Sequence, residues 1–173
     1  RPLPRAEEAI CAEPPTFPSV SRISESPHRF PLSSRASSMT RLIECVPNFS
    51  EGRDEALAQA LADAVAAVPA VLLLDRARDA DHHRSVLTFA GPADAVGEAA
   101  FRAVQLAGRH IDLRLHQGGH PCVGATDVVP FMPLEGSTMG ECVELARLVG
   151  ERIGRELQIP VFFYEEAATH ADR

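Results

Sequence analysis

From residue 39 onward the apolar positions recur with two different periods, and the switches between them divide the chain into short strands and longer helices. Residues 42–49 read as a strand, with Pro47 marking an edge or a strand end. Ser50 and Asp54 then offer helix caps. Leu57, Ala60, Leu61, Ala64, Val65 and Val68 follow at three-to-four spacing, with Arg53, Gln59 and Asp63 on the other side, predicting a surface helix packed on a sheet. Residues 71–74 and 86–89 read as strands. The polar run between them, 76–84, is too long for a tight hairpin turn and should be exposed.

Gly91-Pro92 opens a second helix lined on one side by Val96, Ala100, Ala103, Val104 and Ala107 and ending near Gly108. A polar, histidine-bearing loop leads to a strand at 128–131. Thr138 and Glu141 then form a capping box ahead of Met139, Val143, Ala146, Val149, Ile153 and Leu157. Pro160 releases the chain into a last strand-like stretch, 161–163. Strands interleaved with helices imply an α+β layer of the ferredoxin-like, split β-α-β kind, with one strand and one helix appended and the helices covering one sheet face. The other face is left bare and needs a partner.

Residues 1–38 are rich in Pro, Ser and Arg and lack a sustained apolar period, so they read as a tail, either disordered or not native to the domain. Four acidic residues, Glu7, Glu8, Glu13 and Glu25, argue against a transit peptide, and a stretch translated upstream of a start at Met39 is the simpler account. The domain proper is expected over 39–173.

Composition narrows the functional classes. A net charge of -7 with scattered arginines gives no basic stripe for a phosphate backbone, so no nucleic-acid partner is expected. No apolar run approaches the roughly 20 residues of a membrane span. Cys11, Cys45, Cys122 and Cys142 form no CxxC pair, which favours free thiols in a reducing, cytoplasmic setting.

Two constellations could carry chemistry. Asp75, Asp79, Asp81, His82, His83 and Arg84 include zinc-type ligands, yet adjacent histidines point apart and no HxH or HxxxH spacing sets two on one side. A solvated turn is the competing reading. Arg84, at the start of a strand, has a planar fork suited either to a substrate carboxylate or to a salt bridge. The second group holds Arg114, His116, Gly118, Gly119, His120, Pro121, Gly124 and Asp127. Its glycines allow close backbone approach and unusual dihedrals, and Pro121 restricts His120. Imidazole titrates near 6.5, so a restrained His120 is either a turn residue or a group that takes and gives a proton at neutral pH.

Four ordered blocks resemble a known family. They are Cys45-Val46-Pro47-Asn48-Phe49-Ser50-Glu51-Gly52, His83-Arg84-Ser85-Val86-Leu87-Thr88-Phe89, His120-Pro121 with Gly124-Ala125-Thr126-Asp127-Val128-Val129-Pro130-Phe131, and Ile159-Pro160-Val161-Phe162-Phe163-Tyr164. Together they are similar to the N-terminal half-domain of glutamate formiminotransferase, found alone or fused to a cyclodeaminase. That family moves the formimino group of N-formimino-L-glutamate onto N5 of tetrahydrofolate in histidine degradation.

The resemblance implies His120 as general acid/base, Asn48, Arg84 and Asp127 as substrate contacts, tetrahydrofolate as co-substrate, and no metal. Gly119 and Ala77 stand where the family pattern carries acids. The resemblance also implies a second half-domain beyond this chain, with the folate in a groove between two facing sheets. Assembly, with that half or as a homodimer, is therefore expected. Two further functional classes compete: a noncatalytic half-domain that pairs with a separate second half, and a metal-dependent hydrolase using Asp81, His82, His83 and His120.

Overall fold

The computed structural model describes residues 41–119 and 122–169; the tail expected over 1–38 lies outside them. The elements run β1 (Ile43–Cys45), β2 (Asn48–Phe49), α1 (Glu55–Ala66), β3 (Leu72–Asp79), β4 (Arg84–Gly91), α2 (Ala93–His110), β5 (Thr126–Val128), β6 (Phe131–Pro133) and α3 (Met139–Arg152). All strand pairs are antiparallel. β4 lies between β3 on one side and β1 with β2 on the other, and β6 and β5 flank β1 and β2 in turn. With β1/β2 and β5/β6 each taken as one interrupted strand, this is the expected split β-α-β, ferredoxin-like order.

The interruptions have a chemical cause. Prolines have no N–H for a ladder, and Pro47 and Pro130 sit at the two breaks. The adjacent backbone compensates: the Val46 N–H donates to the Pro130 carbonyl (3.3 Å) and the Leu87 N–H to the Pro47 carbonyl (3.2 Å). Pro47 thus ends β1 as expected, but the strand is internal to the sheet and not an edge.

Register assigns the faces, because directly paired residues point the same way. Leu73, Phe89, Cys45 and Phe131 form one row under the helices, and Gly91, Ile43 and Pro133 another. Ile43, Cys45, Phe49, Leu87 and Phe89 are buried against α1, α2 and α3 in one core. On the opposite face the rows are Leu72, Ala90, Glu44, Met132 and Ala77, Val86, Asn48, Val128. No helix among the described residues covers this side, and Leu72 stays 64% exposed and Met132 39%. The bare face expected from the pattern is present.

The helices follow their signals. Asp54 caps α1 by accepting the Leu57 N–H at 3.0 Å. All five residues expected to line α2 are buried. Thr138 and Glu141 form the reciprocal capping box at the start of α3. Its buried stripe is Cys142, Leu145, Val149 and Ile153, so Met139, Val143 and Ala146 flank the contact. The apolar positions on α3 are wide enough to admit two stripes, and contact with α2 and β6 selects one.

Two expectations are corrected. The polar run 76–84 is not a long loop: β3 continues through it to Asp79, and only residues 80–83 connect the hairpin. Arg76 and Arg78 are strand residues whose side chains reach Glu55 of α1, each at 2.8 Å, which gives charged side chains a place in a strand. Residues 161–163 form no strand; Phe163 instead packs on Gly150 of α3, where a Cβ would meet its ring at 2.8 Å. No helix among the described residues is long and apolar enough to cross a membrane.

Candidate active site

Three chain segments meet at one end of the sheet: residues 50–54 after β2, the 80–83 hairpin tip, and the loop between α2 and β5. The tip is closed by Asp79. Its carboxylate accepts the Asp81 and His82 N–H groups, both at 2.8 Å, and lies 2.7 Å from His82 Nδ1. Those backbone and ring contacts hold the Asp79 carboxyl below its ordinary value. Asp79, Asp81 and His82 are thereby organised around their own turn.

His83 leaves the turn in the left-handed region, at φ 54°, a conformation that costs free energy for a residue with a Cβ. The backbone here lies directly over Gly52, where a Cβ would fall 2.1 Å from the Asp79 carbonyl oxygen and 2.3 Å from the Arg84 nitrogen. Only glycine fits. Gly52 also donates its N–H to His83 Nδ1 at 3.0 Å, which makes that nitrogen the acceptor of a neutral ring. Arg78 and Arg53 complete the junction, Arg78 Nη1 donating to the Gly52 carbonyl (2.9 Å) and Arg53 Nε to the Ala80 carbonyl (3.0 Å).

The third segment docks on this platform. The His116 ring stacks on His83 with centroids 4.6 Å apart. Its Nδ1 donates to the Ser50 carbonyl at 3.2 Å, which leaves Nε2 as an acceptor, buried and without a partner among the described residues. Gly119 N–H donates to the Asp81 carbonyl (3.2 Å), and at Gly118 a Cβ would lie 2.5 Å from the His82 carbonyl oxygen. Burial pushes the His83 imidazolium down; Glu51, 3.4 Å from Nδ1, opposes it, while Arg53 and His116 add to it.

Past the loop, Ser50 Oγ donates to the Gly124 carbonyl (2.7 Å) and its N–H to the Ala125 carbonyl (3.0 Å). Asp127 accepts the Val123 and Gly124 N–H groups at 2.6 and 3.0 Å. The segments on either side of His120-Pro121 are therefore both tied to Ser50, and the one before it also to the hairpin tip through Gly119. His120 itself lies outside the described residues.

Asn48 and Arg84 are brought together on the bare face: an Arg84 Nη2 donates to Asn48 Oδ1, and Asn48 Nδ2 donates to the Val46 carbonyl at 3.0 Å. Asp127 shapes the loop through its backbone contacts. Arg114 is on the surface, its fork paired with Asp112 and holding that carboxyl down to about 2. Gly118 and Gly124 serve close approach and not positive φ, since Gly136 alone among the described glycines has positive φ. Beside Gly119 the nearest atom to an added Cβ is the Asp81 carbonyl oxygen at 3.8 Å, so the missing acid there is not a matter of space.

No group of three or more His, Cys, Asp or Glu among the described residues is arranged to hold a metal. Of the hydrolase ligand set, Asp81 and His82 belong to the turn and His83 faces Gly52. The stacking of His83 on His116 had no signal in the sequence: the two lie 33 positions apart in separate constellations, and only the docking of the loop on the hairpin joins them.

The whole described region matches known proteins. The family described as "Formiminotransferase domain, N-terminal subdomain" covers residues 42–173. A glutamate formimidoyltransferase of Streptococcus pyogenes is 47% identical over 135 residues, which is 78% of this chain and 45% of that protein. One from Thermoplasma acidophilum is 48% identical over 132 residues, covering 76% of this chain and 44% of its own length. The formimidoyltransferase-cyclodeaminase of Rattus norvegicus is 43% identical over 135 residues, 78% of this chain and 25% of that protein. The chain thus spans less than half the length of these relatives, and it belongs to the formiminotransferase N-terminal subdomain family.

Proposed function

We propose that this chain supplies one wall of a glutamate formimidoyltransferase site, which transfers the formimino group from N-formimino-L-glutamate to N5 of tetrahydrofolate with His120 as general acid/base. The observation that carries this reading is the Asn48–Arg84 pair on the sheet face that no described helix covers, beside the anchored loop that bears His120. A guanidinium held at the start of β4 suits the anionic glutamate or the folate tail, through charge-assisted hydrogen bonds.

With its nitrogen protonated, the formimino group carries positive charge shared by its carbon, so neutral imidazole and carboxylates stabilise it, whereas an oxyanion hole has the wrong polarity. Attack by N5 forms a new N5–C bond and a tetrahedral adduct. His120 accepts the N5 proton and returns a proton to the glutamate nitrogen as the bond from carbon to that nitrogen breaks, releasing glutamate. Asn48, Arg84 and Asp127 position the reactants, and positioning supplies much of the rate. These steps call on no metal. The second wall comes from the part of the relatives' length that this chain does not span, docked on the bare face, with homodimer formation as a further assembly.

The free state of Cys45, Cys122 and Cys142 suits a cytoplasmic setting in one-carbon metabolism and histidine degradation. A second reading, a noncatalytic half-domain that pairs with a separate half, draws on the same uncovered face. The test is formimino transfer to tetrahydrofolate by the chain extended with the downstream half, alongside its His120→Ala variant. A loss of about 10²–10⁴-fold is expected; equal activity of the two overturns the acid/base role.

A further inference from the structure

We infer that His83 and His116 are positioning residues that pin the loop before His120 to the hairpin tip while His83 is neutral, and that acid releases the pin. The inference rests on the proposed function for its catalytic consequence, whereas the pin itself is read from geometry. His83 Nδ1 is the acceptor of the Gly52 N–H at 3.0 Å. A proton placed there would turn the acceptor into a donor facing a donor, and Gly52 is packed directly under the tip, where a Cβ would fall 2.1 Å from the Asp79 carbonyl oxygen. His116 is held by its Nδ1 contact to the Ser50 carbonyl at 3.2 Å, and its buried Nε2 has no partner among the described residues. The His116 ring stacks on His83 with centroids 4.6 Å apart, so whatever moves the His83 ring moves the loop.

The groups around the pair do not reverse this. From the 50–54 segment come Glu51, which favours a charged His83, and Arg53, which disfavours it. On the hairpin, Asp79 is engaged with the Asp81 and His82 N–H groups and the His82 ring, while Arg84 reaches Asn48. On the loop side, Arg114 is paired with Asp112. Burial pushes His83 below its ordinary value, so its contribution to stability is present above about 6.5 and is lost as pH falls through that value towards the folded one.

What is pinned is specific. His116 is four positions before His120, and Gly119, its immediate neighbour, is tied to Asp81 on the tip that His83 terminates. Release of the stack frees both attachments that set where the loop leaves the platform.

The test is amide hydrogen exchange of Gly119 in the full chain, expressed as a protection factor at pH 7.5 and pH 5.5. A lower protection factor at pH 5.5 than at pH 7.5 is expected, because the released state takes up a proton that the pinned state resists. The variant His83→Asn/His116→Asn keeps both hydrogen bonds, since an Asn carbonyl accepts from Gly52 and an Asn amide donates to Ser50, but it cannot titrate. Its protection should be flat with pH. His83→Asn alone, where Asn tolerates the left-handed backbone, serves if the double variant does not fold.

Wild-type protection that does not change with pH, or an equal fall in the Asn variants, overturns the inference. In the extended chain the Asn variants should shift the acid limb of kcat while leaving KM within about twofold. An inactive wild-type extended chain would sink the proposed function and leave the exchange result standing.

Discussion

The two faces of this sheet are built from the same strands, residue by residue, and they differ in what they demand of a side chain. Phe89, Cys45 and Phe131 point under the helices and are buried, while their immediate neighbours Thr88, Glu44 and Met132 point to the uncovered side. One face therefore bears the free energy of folding, and the other is open to carry recognition. A one-residue alternation is enough to separate them, because successive side chains on a strand leave on opposite sides.

The largest effect should come from crossing the covered face. Phe89→Ala is expected to lower unfolding stability by about 3–5 kcal/mol in urea titrations, whereas Thr88→Ala, one residue earlier, should stay within about 0.5 kcal/mol. Equal effects would mean that the two faces are not distinct. Next is Arg84→Gln on the bare face. It should cost formimino transfer in the extended chain about 1.5–3 kcal/mol, seen chiefly in KM, with a smaller change in unfolding stability. A change in stability alone would return Arg84 to the salt-bridge reading.

The covered side also depends on how its helices begin. Thr138→Ala removes one half of the α3 capping box and should destabilise the fold by about 1 kcal/mol in thermal unfolding, without altering ligand affinity. The smallest effect on folding is expected from Met132→Lys, within about 0.5 kcal/mol for the chain by itself. The same change should weaken association with the downstream half, measured by sedimentation of the two parts mixed. Undiminished association would show that the partner docks elsewhere.

Much of the covered face was legible in the sequence. The α1 and α2 stripes, the Asp54 cap and the Thr138/Glu141 box depend on local spacing and local hydrogen bonds, which a linear pattern carries. The polar run 76–84 misled because Arg76 and Arg78 find their compensation in Glu55, more than 20 positions away, and alternation alone cannot reveal a partner on a helix. Residues 161–163 misled for a related reason: Val and Phe in sequence read as strand, but the groove beside Gly150 takes the Phe163 ring instead. At the site, Asn48 and Arg84 were named from motifs and the structure joins them, whereas the His83–His116 stack required the fold.

The clearance at Gly52 limits how this end of the molecule can vary. The 50–54 segment, the hairpin tip and the loop before His120 occupy one shared volume, with backbone against backbone at Gly52 and Gly118 and the His83 and His116 rings stacked beside them. A substitution or insertion in any one of them must be met by a matching change in the other two. Variation among relatives should therefore appear there as linked sets of differences, while single independent differences collect on the outer surfaces of α1, α2 and α3.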